Sequence, residues 1–258
     1  EWYDEVYFPA ERVALRQSIH ARPAFKRADV LLALHMRDEA LSELSSLVDE
    51  VGRDPRALDI LVEYCESVGL HKRAILLAER ILSMSPAEGL SEAPVYLRKR
   101  ICPTHFRDIV ESECTERSID VNVEFSLIRQ ESLFEPAAVS WVGARGLSQI
   151  MPSTGRWVAR RLGVRGFKNS HLFDPRTNIR FGTEYLSVQL EEFDGDIMRS
   201  LAAYNGGPEA SERWWDYGGG RDTDVFVEDV GYAQTADYVR RVFLYSEVYR
   251  ELYGDSAR

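Results

Sequence analysis

Apolar residues recur through most of this chain in steps of three and four, and that periodicity limits its fold more than any other feature. In the first hundred residues Val30, Leu31 and Leu34 are followed by Ala40, Leu41, Leu44, Leu47 and Val48. Leu58, Leu61 and Val62 come next, then Ala74, Ile75, Ala78, Ile81 and Leu82. Such steps put each set on one side of a helix. Two of the sets superimpose: Ala40 falls on Ala74, Leu41 on Ile75, Leu47 on Ile81 and Val48 on Leu82. Few alternating patterns of the kind a strand requires compete with them, so the expected class is mainly α.

The offset between those two sets is the period of tetratricopeptide-like paired helices. Residues 1–95 are therefore expected to form an α-solenoid-like helical region that acts as a scaffold or docking surface. The segment "SMSPAEGLSEAPVY" gathers two prolines and a glycine in a polar stretch, as a linker does. A second domain, 96–258, follows it. Its helices are punctuated by recognisable starts and stops. One is expected from Phe106 to Cys114, the next from Val121 to Ser132, stopped before Pro136. Another begins near Pro152 and ends at Gly163. Asp174-Pro175 reads as an N-cap and first-turn proline. The helix it opens should turn Ile179, Leu186, Leu190 and Phe193 inward and stop at Gly195. Ile197–Tyr204 and Thr235–Tyr253 complete the series.

Bulk properties narrow the function. The net charge is -10, which disfavours nucleic acid as a partner. The single basic stretch, Arg156 through Arg160, Arg161 and Arg165 to Lys168, reads first as a solvated face and second as a contact for an anionic polymer. No apolar run is long enough for a transmembrane helix. The chain starts at Glu1 with neither an initiator Met nor a signal peptide, and the expectation is a mature or trimmed product. Cys65, Cys102 and Cys114 lack metal-site or redox spacing and are expected as buried packing residues. The histidines are scattered, so no metal or cofactor is expected. The run Gly218-Gly219-Gly220-Arg221 lacks the ending of a phosphate loop and is expected to be a mobile surface loop.

Glu131 is the residue that points to chemistry. Val121, Phe125 and Ile128, broadened by Leu127, make an apolar face, and Glu131 follows Ile128 by three and Leu127 by four. A carboxylate on that face loses hydration, its pKa rises, and it can hold a proton near neutral pH as a general acid must. A last-turn glutamate can also simply reach solvent. The residues that follow weigh against this: Gly143 and Gly146 allow close backbone approach, and Gln149 offers an amide to sugar hydroxyl or acetamido groups. Tyr204 and Asn205 then stand at a helix end before a glycine turn, where the tyrosine could stack on a sugar or bond to the acid.

Three long stretches occur in order: "RQESLFEPAAVSWVGARGLSQIMPST", "LFDPRTNIRFGTEYLSVQLEEFDGD" and "SLAAYNGGP". They resemble the successive motifs of the soluble lytic murein transglycosylases, whose catalytic domain is related to goose-type lysozyme. The resemblance runs from about Tyr96 to the C-terminus, and such enzymes often carry a helical solenoid in front. It implies a lysozyme-like helical domain that cleaves the β-1,4 bond between N-acetylmuramic acid and N-acetylglucosamine in peptidoglycan. It also implies that Glu131 acts first as acid and then as base, while the C6 hydroxyl of the muramic sugar closes a 1,6-anhydro ring.

Ser132 matches the serine after the acid. Gly146, Gln149, Ile150, Met151 and Pro152 match the Gly-Leu-Met-Gln-Ile-Met-Pro motif, with Ser148 in place of its methionine, a change expected to alter a groove-wall contact. Tyr204 and Asn205 match Ala-Tyr-Asn. "VFVEDVGYAQTADYVRRV" resembles a fourth motif through Glu228 and Tyr238, although Val230-Gly231 stands for Ile-Pro and Gln234-Thr235 for Glu-Thr. Ordinary glycosidases use two carboxylates. Glu135, Asp174 and Glu228 are the candidates for a helper here. A hydrolytic muramidase on the same fold is the nearest rival function, and a non-catalytic murein-binding scaffold is a more distant one. Peptidoglycan as substrate would place the protein in the periplasm or bacterial envelope, with the front helices open to envelope protein partners.

Overall fold

The protein is described from a computed structural model covering residues 2–7, 10–218 and 223–254. These residues form two compact units, Glu1–Ile101 and Cys102–Arg258. Neither contains a β-strand among the described residues; the only extended pairing is two isolated bridges in the second unit, Val139 with Arg145 and Arg145 with Ile150.

The first unit contains α1 (Trp2–Tyr7), α2 (Arg12–Ala21), α3 (Pro23–Ala33), α4 (Arg37–Val51), α5 (Pro55–Ser67), α6 (His71–Leu82) and α7 (Val95–Ile101). Helix α3 packs on α4, and α5 on α6, giving the expected paired helices. Helix α5 opens on Asp54, whose side chain accepts from the Arg56 N–H, with Pro55 in its first turn. Ala40, Leu44 and Leu47 of α4 are buried, as are Ala74, Ile75, Ala78 and Ile81 of α6. Helix α3 departs from the expected face. It buries Ala24, Phe25 and Ala28, while Val30 and Leu34 are 58% and 61% exposed. Spacing alone could not tell which of two apolar edges faces α4. Asp59 of α5 is fully buried between Arg12, at 2.6 Å, and Arg100. Its charge is acceptable inside the unit because two guanidinium groups meet it.

The second unit comprises α8 (Arg107–Arg117), α9 (Val121–Ser132), α10 (Pro152–Arg161), α11 (Pro175–Glu192), α12 (Ile197–Gly206), α13 (Pro208–Tyr217), α14 (Thr223–Asp229) and α15 (Ala233–Tyr253). Its centre is α9. Every residue from Val121 to Arg129 is buried, polar ones included, and the helix packs against α8 and α15. A helix covered all round belongs to the interior, so α9 is a core helix and not an amphipathic one with a wet side. Asp120 caps it by accepting from the Asn122 N–H at 2.9 Å, and Arg250 of α15 holds the same carboxylate at 2.6 Å.

Asp174 caps α11 as expected, accepting from the Thr177 N–H at 2.8 Å, and Ile179, Leu186 and Phe193 face the core. Gly163 ends the turn after α10 with φ of +66°. Helices α13 and α14 were not anticipated. Cys65, Cys102 and Cys114 are buried and form no disulfide among the described residues. Of the expected glycine loop, Gly218 caps the end of α13 and 219–221 lie outside the described residues. No described helix is long and apolar enough to cross a membrane.

Candidate active site

Glu131 sits on the last turn of α9. Immediately after it the chain takes two consecutive left-handed residues, Leu133 (φ +52°) and Phe134 (φ +59°), and leaves the helix direction sharply. Phe134 is fully buried against Phe125 and His105, which anchors that turn in the core. The Glu131 side chain is partly accessible, as an acid that meets a substrate must be, but protein surrounds its carboxyl. Burial pushes that carboxyl up to about 7. The Tyr238 hydroxyl beside it tempers the rise. No other carboxylate contributes to that shift.

Two phenols flank the acid. Tyr204 comes from the end of α12 and Tyr238 from α15. Both are held well above their ordinary pKa, first by burial and then by the Glu131 carboxylate. The Tyr204 hydroxyl donates to the Ser148 carbonyl at 2.8 Å. The Tyr238 hydroxyl is buried and makes no hydrogen bond of ordinary geometry.

The segment 135–151 forms the neighbouring wall, and α11 pins it. Asn178, fully buried, donates from its amide to the carbonyls of Arg145 (2.9 Å) and Leu172 (2.7 Å) and accepts from the Ser148 N–H (2.7 Å). Gly146 is obligatory in this clamp. Its φ is +75°, and a Cβ there would lie 2.2 Å from the Leu172 carbonyl oxygen. Gly182 on α11 permits the second close approach, since a Cβ would lie 2.4 Å from the Ser148 side chain.

The remaining expected residues divide into those brought to the site and those that support it or lie apart. Ser148 is fully buried, so its side chain does not form a groove wall; it reaches the site through its carbonyl. Ser132 is buried and its hydroxyl bonds back to the Ile128 carbonyl at 3.1 Å, a helix-internal contact. The Gln149 amide donates to the Gly146 carbonyl at 2.8 Å and to that of Ala138 at 3.3 Å, bracing its own loop. Met151 is 37% exposed at the start of α10. Asn205 is exposed and accepts from the Thr235 hydroxyl at 2.8 Å, linking α12 to α15. Glu228 is an exposed partner of Arg240 at 2.7 Å and does not enter the surroundings of Glu131. Asp174 is occupied as the cap of α11, and Glu135 accepts from the Ala137 N–H in the turn after α9.

One acid was missed. Glu124 lies two helical turns before Glu131 and is fully buried, and neither carboxyl oxygen makes a hydrogen bond of ordinary geometry, although the Thr183 hydroxyl lies beside it. Burial pushes it up to about 8, against smaller opposing effects of Thr183 and Arg117. Its charge is felt at both Tyr204 and Tyr238. The separation of seven residues from Glu131 was the available signal, because it places the two acids on one side of α9. Asn178 was missed for another reason: its partners are distant in sequence.

Residues 108–227 match the family model described as "Transglycosylase SLT domain". That match covers just under half of the chain. The soluble lytic murein transglycosylase of Escherichia coli K12 is 35% identical to it over 155 residues, 59% of this chain and 24% of that protein. The membrane-bound lytic murein transglycosylase C of Klebsiella pneumoniae is 37% identical over 123 residues, 44% of this chain and 34% of that protein. The crystal structure of the 70 kDa soluble lytic transglycosylase of Escherichia coli matches with a TM-score of 0.79 at 27% identity, over 92% of this chain and 37% of that one. The lytic transglycosylase Slt of Pseudomonas aeruginosa shares the fold, with a TM-score of 0.78 over 95% of this chain and 38% of that one. The chain thus spans about a quarter of the length of the soluble relative from Escherichia coli. The matched region is a helical, lysozyme-like body, and in this chain the helices of the first unit precede it in sequence.

Proposed function

We propose that the second unit is a peptidoglycan lytic transglycosylase that cleaves the β-1,4 bond between N-acetylmuramic acid and N-acetylglucosamine, with Glu131 as its single acid–base group. The observation that carries this is the state of Glu131: its carboxyl is held near neutrality between two phenols, and no second carboxylate contributes to that shift. Protonated Glu131 gives its proton to the bridging oxygen as the bond to C1 breaks. The carboxylate then takes the proton of the C6 hydroxyl of the same sugar while that oxygen bonds to C1. The proton count closes, no water is consumed, and the product ends in 1,6-anhydro-N-acetylmuramic acid. An intramolecular nucleophile needs no base to orient water, which suits a lone acid. Peptidoglycan as substrate would put the protein in the bacterial envelope.

The test is mass spectrometry of unreduced digests of purified sacculi. Anhydro ends, lighter by one water than hydrolytic ends, are expected as the main product. Predominantly reducing ends carrying labelled solvent oxygen would make the enzyme a muramidase. Glu131→Gln should reduce turnover by about 10²–10⁴-fold or more with the fold intact. Retention of more than about a tenth of the activity would remove Glu131 from its role.

A further inference from the structure

The basic stretch of the second unit has no part in the chemistry above. Residues 152–173 contain five arginines and lysines and no acid, in a chain of net charge -10. Helix α10 presents Arg156 and Arg160 outward, four residues apart, while Val158 and Ala159 are buried. After Gly163 the chain turns back along the helix. Val164 and Phe167 pack on the cluster formed by Val158, Ala159 and Leu172, and Phe167 lies against Gly155. Arg165 and Lys168, which alternate with those anchors, are exposed. Only Arg161 of the five is ion-paired, with Glu184 at 2.8 Å and Glu191 at 3.5 Å. Arg160, Arg165 and Lys168 have no carboxylate partner among the described residues, and Arg156 has only the Asn169 side chain at 3.4 Å. Four cations thus share one outer surface without internal compensation.

That surface adjoins the site. Helix α10 begins directly after Met151, and the rings of Tyr204, Tyr185 and Trp157 follow one another at 5.1 and 6.3 Å, leading from beside Glu131 to the exposed side of α10. We propose that the outer face of α10 and the segment returning along it bind the carboxylate groups of peptide stems on the murein strand. The inference rests on the murein-cleaving reading and deepens it to a substrate form, glycan with its stems attached. The glycan hydroxyl and acetamido groups are uncharged, and the lactyl carboxyl of each muramic sugar is consumed in the amide to its stem, so the backbone of a stem-bearing strand gives the arginines nothing to pair with. Stem carboxylates match a guanidinium in charge and in two-pronged shape.

The experiment compares uncrosslinked murein strands bearing intact stems with the same strands stripped by an amidase and then capped as methylamides at the lactyl carboxyls that the amidase frees. The proteins are the wild type and an Arg160→Gln, Arg165→Gln, Lys168→Gln variant, whose changes are all exposed. The variant should raise KM on stem-bearing strands about five- to tenfold, leave kcat unchanged, and not affect stripped strands; the difference should shrink with added salt. Equal changes on both strands, or none, overturn the inference while leaving the activity in place. Co-sedimentation with each strand, in proteins that also carry Glu131→Gln, reads binding without turnover. Selective binding of stem-bearing strands by a wild type that cleaves neither strand would sink the activity and uphold the cation face. A short DNA duplex bound as tightly as stem-bearing strands would overturn it in favour of an unselective polyanion surface.

Discussion

Glu124→Gln should change how stability depends on pH, in a direction and size set by the burial of that side chain. The Glu124 carboxyl has no exposed surface and makes no hydrogen bond of ordinary geometry. It is pushed up to about 8 from an ordinary 4.5. In the unfolded chain the same group is solvated and loses its proton near the ordinary value. Between those two pH values the folded protein keeps a proton that the unfolded chain has released. Stability is therefore fully present below the lower value and is lost as pH rises toward the higher one, by about 1.4 kcal/mol per pH unit. From pH 5 to pH 8 this amounts to roughly 4 kcal/mol. Glu131 adds a loss of the same sign up to about 7, and both proteins share it. Glutamine keeps the shape of the neutral acid and does not titrate. The stability of the variant relative to wild type should thus climb by roughly 4 kcal/mol across that range. Urea unfolding at fixed pH values, followed by tryptophan fluorescence, measures this, and four of the five tryptophans lie in the second unit. Parallel profiles, agreeing within about 0.5 kcal/mol from pH 5 to pH 8, would mean that water reaches Glu124 and that the reasoning from burial is wrong.

The general-acid form of Glu131 is lost as pH rises through about 7, so cleavage should fall about tenfold per pH unit on the alkaline side. Because the Tyr238 hydroxyl lowers the Glu131 pKa, Tyr238→Phe should move that limb to higher pH, and an unmoved limb in the pH–rate profile would separate the two groups. Gly182→Ala should cost about 1–3 kcal/mol through collision with Ser148, and adding Ser148→Gly should recover most of it; a urea double-mutant cycle without coupling would refute the contact. A fragment of residues 102–258 should unfold cooperatively by itself, as checked by circular dichroism in urea, whereas a fragment without a transition would mean the units depend on one another.

Much of the fold was legible because polar punctuation acts locally. Asp120, Asp174-Pro175 and Gly163 mark helix ends through bonds and backbone angles confined to a few residues. Helices α13 and α14 were hidden because they are short and flank a glycine run, where composition suggests loop. The exposure of Val30 was hidden because a partner helix, not spacing, selects the buried edge. Glu131 was legible from its place on an apolar face. The roles of Ser148 and Asn178 were not, since they depend on α11 meeting a loop thirty residues away in sequence. Glu228 matched a motif position, yet folding leaves it on the surface with Arg240.

The acid's helix is enclosed on every side, and this has a consequence for how the domain can vary. Each of the nine residues from Val121 to Arg129 touches the interior, and the Arg129 guanidinium lies 3.6 Å from the Tyr245 ring centre. A change in this helix must be answered by a matching change in α8 or α15, so accepted substitutions there should come in correlated sets. The outer side of α10 obeys no such restriction and can drift one residue at a time. With Glu131 and the α10 face in the roles proposed above, reaction and preference would diversify at different speeds within one domain: the proton-transferring helix would move only by concerted steps, while the stem-binding surface could be retuned piecemeal.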